Sequence, residues 1–96
     1  MRVRYSRLAS KDLISILSEL AAKNLSAPRR FEARIRQLSE RLGQYPNSFE
    51  EVADRPGIRR APLQRYPYLL FYEVVADEVI ILRIMHGSRE RPWDNL

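Results

Sequence analysis

The sequence predicts an α+β domain with an N-terminal strand, an antiparallel helical hairpin and then a three-stranded antiparallel sheet. Apolar residues recur at helical spacing over residues 9–43, which predicts the hairpin. Over residues 58–88 the pattern changes to β-prone runs with short connections, which predicts the strands. The chain has 96 residues, enough for one domain with a modest core, so we expect residues 1–96 to form a single domain.

The first strand is expected within residues 1–6, where apolar and polar residues alternate. The first helix is expected from about residue 9 to Lys23, with Ser6 or Ser10 as its N-cap. Asp12 would then lie in the first turn of the helix and Lys23 in its last turn. This arrangement suits the helix dipole.

The second helix is expected to follow Ser26, a good N-cap residue, and Pro28, which a first helical turn tolerates. Gly43 is expected to end it as the C′ residue. Four apolar residues at helical spacing share its core-facing side: Phe31, Ile35, Leu38 and Leu42. Two helices joined by such a short turn form an antiparallel hairpin.

Residues 44–57 contain Pro, Asn, Gly and Asp and are expected to form a loop. Three strands are expected to follow, at about residues 58–63, 68–75 and 79–85. The last two strands are separated by a tight connection, so they should form a β-hairpin at the centre of the sheet.

Both strands of this central hairpin are almost entirely apolar, so both faces of the sheet should be partly covered. Glu73 and Arg83 interrupt one face, and we expect them to pair there. Residues 89–96 are expected to form a charged, turn-like tail with one large apolar side chain, that of Trp93.

The chain has no cysteine and one histidine, His86, which excludes a disulfide framework and disfavours a zinc site. We expect no metal and no cofactor. No apolar run approaches the roughly 20 residues that cross a bilayer. The N-terminus lacks the apolar segment of a secretory signal, so we expect a cytoplasmic protein that does not bind membranes.

The net charge is +5, and the basic residues other than Lys11 and Lys23 are all arginines. A basic surface of this kind attracts nucleic acid or an acidic protein segment. On the second helix, three arginines lie beside the apolar stripe. These three are candidate partner-binding residues. The full set of candidates is Arg30, Arg34, Arg41, Arg83 and Trp93.

Three motifs, in this order and spacing, resemble the RelE/ParE superfamily of bacterial type II toxins. Residues 3–13 comprise an apolar strand followed by the start of a helix that carries Asp12. Residues 66–74 read Tyr-Pro-Tyr-Leu-Leu-Phe-Tyr-Glu-Val, similar to the family's Pro-Tyr-aliphatic-aliphatic-Phe-Tyr-x-Val strand. Residues 80–89 end in His-Gly-Ser-Arg, similar to its His-Gly-x-Arg strand end. The resemblance implies the α+β fold described above.

The resemblance also implies which branch of the superfamily applies. RelE-like members cleave mRNA on the ribosome, which requires positioned acid–base groups and cations. Their arginine of the central strand corresponds to Leu69 and their C-terminal tyrosine to Asn95, while Arg89 keeps the strand-end arginine. Their lysine-rich segment has no counterpart in residues 44–65. The remaining motifs are more similar to ParE, which inhibits DNA gyrase and cleaves no RNA.

Three functions stay open from the sequence. The first is a ParE-like inhibitor of DNA gyrase with no reaction of its own. The second is a RelE-like, ribosome-dependent mRNA endoribonuclease, in which Arg59, Arg60, Arg65 and Arg89 would hold phosphates and His86 would transfer protons. The third is a non-toxic homologue that acts only as a binding module.

All three functions share an expected partner, a cognate antitoxin. Its acidic C-terminal segment would fold as a helix into an apolar groove between sheet and hairpin, and the charge of +5 suits such a segment. The chain shows no helix-turn-helix pattern, so we expect no sequence-specific DNA binding of its own.

Overall fold

A computed structural model describes residues 1–87, and these form two helices and five strands. Along the chain they are β1 (Arg2–Tyr5), α1 (Arg7–Lys23), α2 (Ala27–Gln44), β2 (Glu51–Val52), β3 (Arg55–Pro62), β4 (Tyr68–Val75) and β5 (Glu78–His86). The class is α+β, as the sequence predicts. The expected tail, residues 89–96, lies outside the described residues.

The five strands form one sheet in the order β1-β5-β4-β3-β2. Strand β1 runs parallel to β5, whereas the β5–β4, β4–β3 and β3–β2 pairs are antiparallel. The β4–β5 hairpin occupies the centre, in agreement with its apolar sequence. The sheet exceeds the expected three antiparallel strands because β1 joins it beside β5 and a short β2 extends its other edge.

The segment expected to be a loop, residues 44–57, contains β2 and the beginning of β3. Val52 in β2 is 4% exposed and packs with Ile58 and Phe71 on the face of the sheet away from the helices. The side chain of Arg59 fixes the preceding segment, since it donates a 2.6 Å hydrogen bond to the Phe49 carbonyl. Two residues are too few to show strand alternation, so the sequence pattern could not indicate β2.

Helix α1 begins at Arg7, earlier than expected, and Ser6 is its N-cap. The Ser6 hydroxyl accepts a 3.0 Å hydrogen bond from the Ala9 amide and donates one of 2.8 Å to the Leu82 carbonyl. The same side chain therefore caps α1 and fastens it to β5. Because the helix starts earlier, Asp12 lies beyond its first turn, and the expected contact with the helix dipole is wrong.

Helix α2 ends at Gln44, so Gly43 is inside it and is not the expected C′ residue. A Cβ at Gly43 would lie 2.8 Å from the Met1 carbonyl oxygen, which explains the glycine by the close approach of α2 to the N-terminus. Ser26 is the N-cap residue of α2, as predicted, but its side chain makes no capping hydrogen bond. Instead the Asn24 carboxamide oxygen accepts a 2.9 Å hydrogen bond from the Ser26 amide.

The core has two parts, one on each face of the sheet. The larger part joins the helices to the sheet and includes all four apolar residues predicted on α2, each of which is buried. The smaller part, which we call the outer cluster, covers the opposite face and consists of Val52, Ile58, Leu69, Phe71, Leu82 and Met85. Both faces of the central hairpin are thus covered, as its continuous apolar sequence predicts.

Candidate functional site

A groove follows one flank of α2, beside the turn between β3 and β4. It comprises two adjoining cavities of about 350 Å³ and 460 Å³, which share Arg34 and Gln37 in their linings. We call this continuous surface the α2 groove, and its principal residues are Arg30, Arg34, Arg41, Phe49, Leu63 and Arg65. Three of the predicted partner-binding residues therefore line one surface.

Aromatic packing fixes the wall of the groove opposite α2. The Phe31 ring on α2 contacts Tyr66 edge-on at 4.9 Å between centroids, and Tyr68 at 5.7 Å. The Tyr66 amide closes the turn with a 3.0 Å hydrogen bond to the Leu63 carbonyl. Arg65, within this turn, has a φ of 74°, a left-handed conformation that is uncommon for residues other than glycine.

None of the four arginines of the groove has an acidic partner within residues 1–87. Within residues 1–87, the guanidinium groups of Arg30, Arg34 and Arg65 make no ion pair or hydrogen bond. Arg41 lies over the Phe49 ring, with its guanidinium carbon 5.4 Å from the centroid. Unpaired cations on one concave surface produce a positive potential that favours an anionic ligand.

Other arginines of the nuclease hypothesis are held by neighbouring groups. Arg59 lies 3.8 Å from the Glu51 carboxylate and Arg60 lies 3.4 Å from that of Glu50. In the register of β3 with β4, Arg59 is opposite Tyr72 and Arg60 opposite the neighbouring Phe71, so the two arginines face opposite sides of the sheet. They do not converge on one phosphate-sized position.

His86 lies on a different surface from the α2 groove. Its ring contacts Tyr68 edge-on at 5.4 Å, and it lines a cavity of about 250 Å³ together with Asp12 and Glu19. That cavity shares no lining residue with the α2 groove, where Arg65 lies. Burial and the Glu19 charge raise the pKa of Tyr68, which disfavours its ionised form.

Arg83 pairs with Asp12, and the expected pair with Glu73 is wrong. Nε and Nη2 of Arg83 donate to the two Asp12 carboxylate oxygens at 2.8 and 3.0 Å, and these bonds raise the pKa of Arg83. Asp12 also accepts a 3.0 Å hydrogen bond from the Ile84 amide. Glu73 is instead opposite Ile80, because the register of β4 with β5 shifts between Phe71 and Tyr72.

The Asp12–Arg83 pair explains how α1 covers the edge of β5. Strand β1 pairs with β5 only up to Ile81, so the following amides on that edge need other acceptors. The Asp12 carboxylate provides one for Ile84, and each side chain of the pair is only 17% exposed. Arg83, predicted to bind a partner, is thus occupied within the fold. Trp93 and Arg89 lie outside the described residues.

Leu69 belongs to the outer cluster, with Phe71 and Met85 as buried neighbours. It is opposite Met85 in the pairing of β4 with β5, and opposite Pro62 in the pairing of β3 with β4. By the resemblance described above, this is the position of the nuclease branch's central arginine. Leu69 itself therefore supplies no cation, and on its other side it borders a cavity of about 580 Å³ that Arg60 and Glu50 also line.

Sequence reasoning missed two groups that the structure brings into these surfaces. Gln37 lies one helical turn beyond Arg34, so the spacing that selected the arginines could have included it. Phe49 reaches the α2 groove from the segment before β2, and no local pattern indicates that contact.

Among residues 1–87, no group of three or more His, Cys, Asp or Glu side chains is arranged to hold a metal ion. Neither helix of this part of the chain has the length and apolar composition required to cross a membrane.

Comparisons with known proteins place the chain among toxins. A family model described as "ParE toxin of type II toxin-antitoxin system, parDE" matches residues 3–91. A solved chain of the chromosomal ParDE TA system from P. aeruginosa is 27% identical with a TM-score of 0.74, covering 92% of this chain and 97% of that one. No curated protein sequence matches the chain.

A second solved structure shares the fold alone. The isolated E. coli RelE toxin is 16% identical with a TM-score of 0.61, and the alignment covers 98% of this chain and 92% of that chain. Both the TM-score and the identity are lower than for the ParDE chain. The comparisons therefore agree with the ParE-like branch that the sequence motifs favour.

Proposed function

The chain belongs to the ParE toxin family of type II toxin–antitoxin systems, and from this premise we propose that it arrests growth by inhibiting DNA gyrase. A toxin of this family has an antitoxin as its partner. We further propose that the acidic C-terminal segment of this antitoxin neutralises the toxin, and that both proteins act in the cytoplasm. In this proposal the toxin binds its target and catalyses no reaction.

The position of Leu69 carries the proposal against the nuclease alternative. RNA cleavage at a phosphodiester requires cations that stabilise charge developing on the phosphate. Leu69 stands at the corresponding position and packs within the outer cluster. The Leu69 side chain makes apolar contacts with this cluster and offers no charge to a phosphate.

The distribution of the remaining polar groups supports the same proposal. Arg59 and Arg60 are held by carboxylates, while Arg65 and His86 line separate cavities. General acid–base catalysis requires its groups within hydrogen-bond reach of one substrate. No such constellation is formed by the nuclease candidates within residues 1–87.

Growth arrest measured with variants of this chain tests the proposal. We expect the wild-type toxin, expressed from an inducible promoter, to stop growth. The variants His86→Ala and Arg89→Ala should stop growth equally, because neither residue acts in a reaction. Restored growth in both variants at wild-type protein levels would support the ribonuclease. Normal growth with wild-type toxin would indicate a non-toxic homologue.

The antitoxin part of the proposal has its own test. We expect a short acidic reading frame beside the toxin gene, and its product should restore growth when both proteins are expressed together. Purified together, the two proteins should elute as one complex. A neighbouring product that neither binds the toxin nor restores growth would contradict the proposed neutralisation.

A further inference from the structure

The outer cluster is more deeply buried than an uncovered sheet face allows. Phe71 is 0% exposed and Met85 is 3% exposed, on the face of the sheet away from the helices. Within residues 1–87 every member of this cluster belongs to a strand, because both helices pack with the larger core on the opposite face. A side chain at the centre of a sheet face becomes fully buried when a second layer of structure covers it.

The neighbours of Phe71 on its own face do not provide that layer. Leu69 and Glu73 are two residues away on β4, and Arg60 is opposite Phe71 on β3. Side chains on one face of a sheet stand roughly perpendicular to it, so they flank Phe71 without lying above its ring. The layer above Phe71 therefore comes from a segment outside the strands.

The chain leaves β5 beside this face. The Gly87 amide donates a 2.7 Å hydrogen bond to the Pro67 carbonyl, and a Cβ at Gly87 would lie 3.6 Å from Cγ of Leu69. Residues 88–96, which we call the C-terminal segment, follow from this point and lie outside the described residues. A segment of this length extends for as much as about 30 Å. The distance from β5 across β4 and β3 to β2 is roughly 14 Å, so the segment can cross the whole outer face.

We propose that the C-terminal segment lies across the outer cluster, with the Trp93 ring over Phe71. A tryptophan removes about 150–250 Å² of its own surface from water when it is buried. Leu69 and Leu82, which are only partly buried, provide further apolar contact beside Phe71. The inference goes beyond the proposed function and does not depend on it. It assigns Trp93, a partner-binding candidate from the sequence, to the fold of the protein itself.

Trp93 is the chain's single tryptophan, so intrinsic fluorescence reports on it alone. We expect the folded full-length protein to emit at a shorter wavelength than the urea-unfolded protein and to be quenched by acrylamide several-fold less. Both signals should change at the urea concentration at which circular dichroism shows unfolding, because the ring leaves the outer cluster only when the sheet unfolds. A folded protein whose Trp93 emits and is quenched as in the unfolded chain would overturn the proposal.

A nitroxide label, which quenches tryptophan emission on close approach, identifies the surface that Trp93 contacts. The chain has no cysteine, so one introduced cysteine takes the label. Glu73→Cys places it on the outer face, because Glu73 follows Phe71 by two residues on β4. The controls are Gln37→Cys in the α2 groove and Leu25→Cys at the turn between the helices. We expect strong quenching from position 73 only, and equal or stronger quenching from position 37 would contradict the proposed contact.

Substitutions of Trp93 measure whether the contact stabilises the protein. Trp93→Ala should lower the urea midpoint of unfolding, and Trp93→Phe, which keeps an aromatic ring, should lower it less. The control Leu25→Ala removes an apolar side chain that is 91% exposed and should leave the midpoint unchanged. A wild-type midpoint in Trp93→Ala would sink the proposal. If Trp93→Ala does not fold, the fluorescence of the wild-type protein still decides.

Dilution distinguishes the chain's own segment from a second copy of the protein. Contact within one chain does not depend on protein concentration, whereas contact between copies does. We therefore expect the emission wavelength and the quenching from position 73 to stay constant over roughly a hundredfold dilution. Loss of both signals on dilution would assign the cover of the outer cluster to a second copy and overturn the proposal.

Discussion

Replacing Asp12 with alanine should destabilise the protein strongly although Asp12 lies on a helix surface. Its carboxylate accepts three hydrogen bonds, two from Arg83 at 2.8 and 3.0 Å and one from the Ile84 amide at 3.0 Å. Removing it leaves a guanidinium group that is mostly buried and a strand amide, both without this acceptor. Breaking such a pair costs about 3 kcal/mol, which in urea unfolding is a midpoint shift of about 2 M.

Two further variants separate the contributions to this loss. Asp12→Asn keeps an oxygen for the Ile84 amide and should lose about half as much as Asp12→Ala. Arg83→Met keeps much of the apolar stem, so the double variant Asp12→Ala/Arg83→Met should be more stable than the sum of the single losses predicts. We expect a coupling energy of about 2 kcal/mol between the two side chains.

The same variants examine the role of Arg83. The Arg83 guanidinium is already hydrogen-bonded to Asp12. Arg83→Met should therefore lower the free energy of unfolding without weakening antitoxin binding, measured under conditions where the variant is folded. The opposite result would be an Arg83→Met variant that has the wild-type urea midpoint of unfolding but a lower affinity for the antitoxin. That result would return Arg83 to the partner-binding surface that the sequence suggested.

Two more stability predictions follow from buried polar contacts. Ser6→Ala should cost about 1–2 kcal/mol in urea unfolding, because it removes the α1 cap and leaves the Leu82 carbonyl without its 2.8 Å donor; an unchanged midpoint would contradict the dual role. Tyr72→Phe should cost about 1 kcal/mol, since the buried Tyr72 hydroxyl donates to the Pro46 carbonyl at 2.7 Å. Burial raises the pKa of Tyr72 above its ordinary value of 10.0, so wild-type stability should fall as the pH rises above about 10. Tyr72→Phe should lose less stability over that range, and parallel pH profiles would exclude the contribution.

The helices and the central hairpin could be predicted because their signals are local. The spacing of Phe31, Ile35 and Leu38 identifies one face of α2 without knowledge of the tertiary structure. Each of these residues is buried. Strand β4 lies at the residues that the sequence predicts, since its β-prone run is uninterrupted. Such periodicity is a property of neighbouring residues.

The errors arose where distant residues meet. Asp12 and Arg83 are 71 positions apart, so their pairing depends on α1 lying along the edge of β5. Gly43 resembled a helix end, but its role is to allow the approach of Met1. The sequence also predicts that Arg83 and Glu73 share one face of the sheet and pair there. The register of β4 with β5 shifts between these positions, and such a shift leaves no mark in the sequence.

The candidate site was partly predictable for the same reason. Arg30, Arg34 and Arg41 share a flank of α2 by helical spacing alone, and the α2 groove contains all three. The sequence indicates Arg65 only as a phosphate ligand in the nuclease hypothesis. Its place beside Arg30 and Arg34 follows from the β3–β4 turn, whose left-handed residue could not be assigned from composition.

We propose that this toxin inhibits DNA gyrase and cleaves no RNA. The most direct measurement titrates the purified wild-type toxin into gyrase with relaxed plasmid and ATP, alongside ribosomes translating a defined mRNA. We predict that supercoiling stops and cleaved DNA accumulates, while the mRNA remains intact. Normal supercoiling at excess toxin, together with mRNA cut on the ribosome, would contradict the claim.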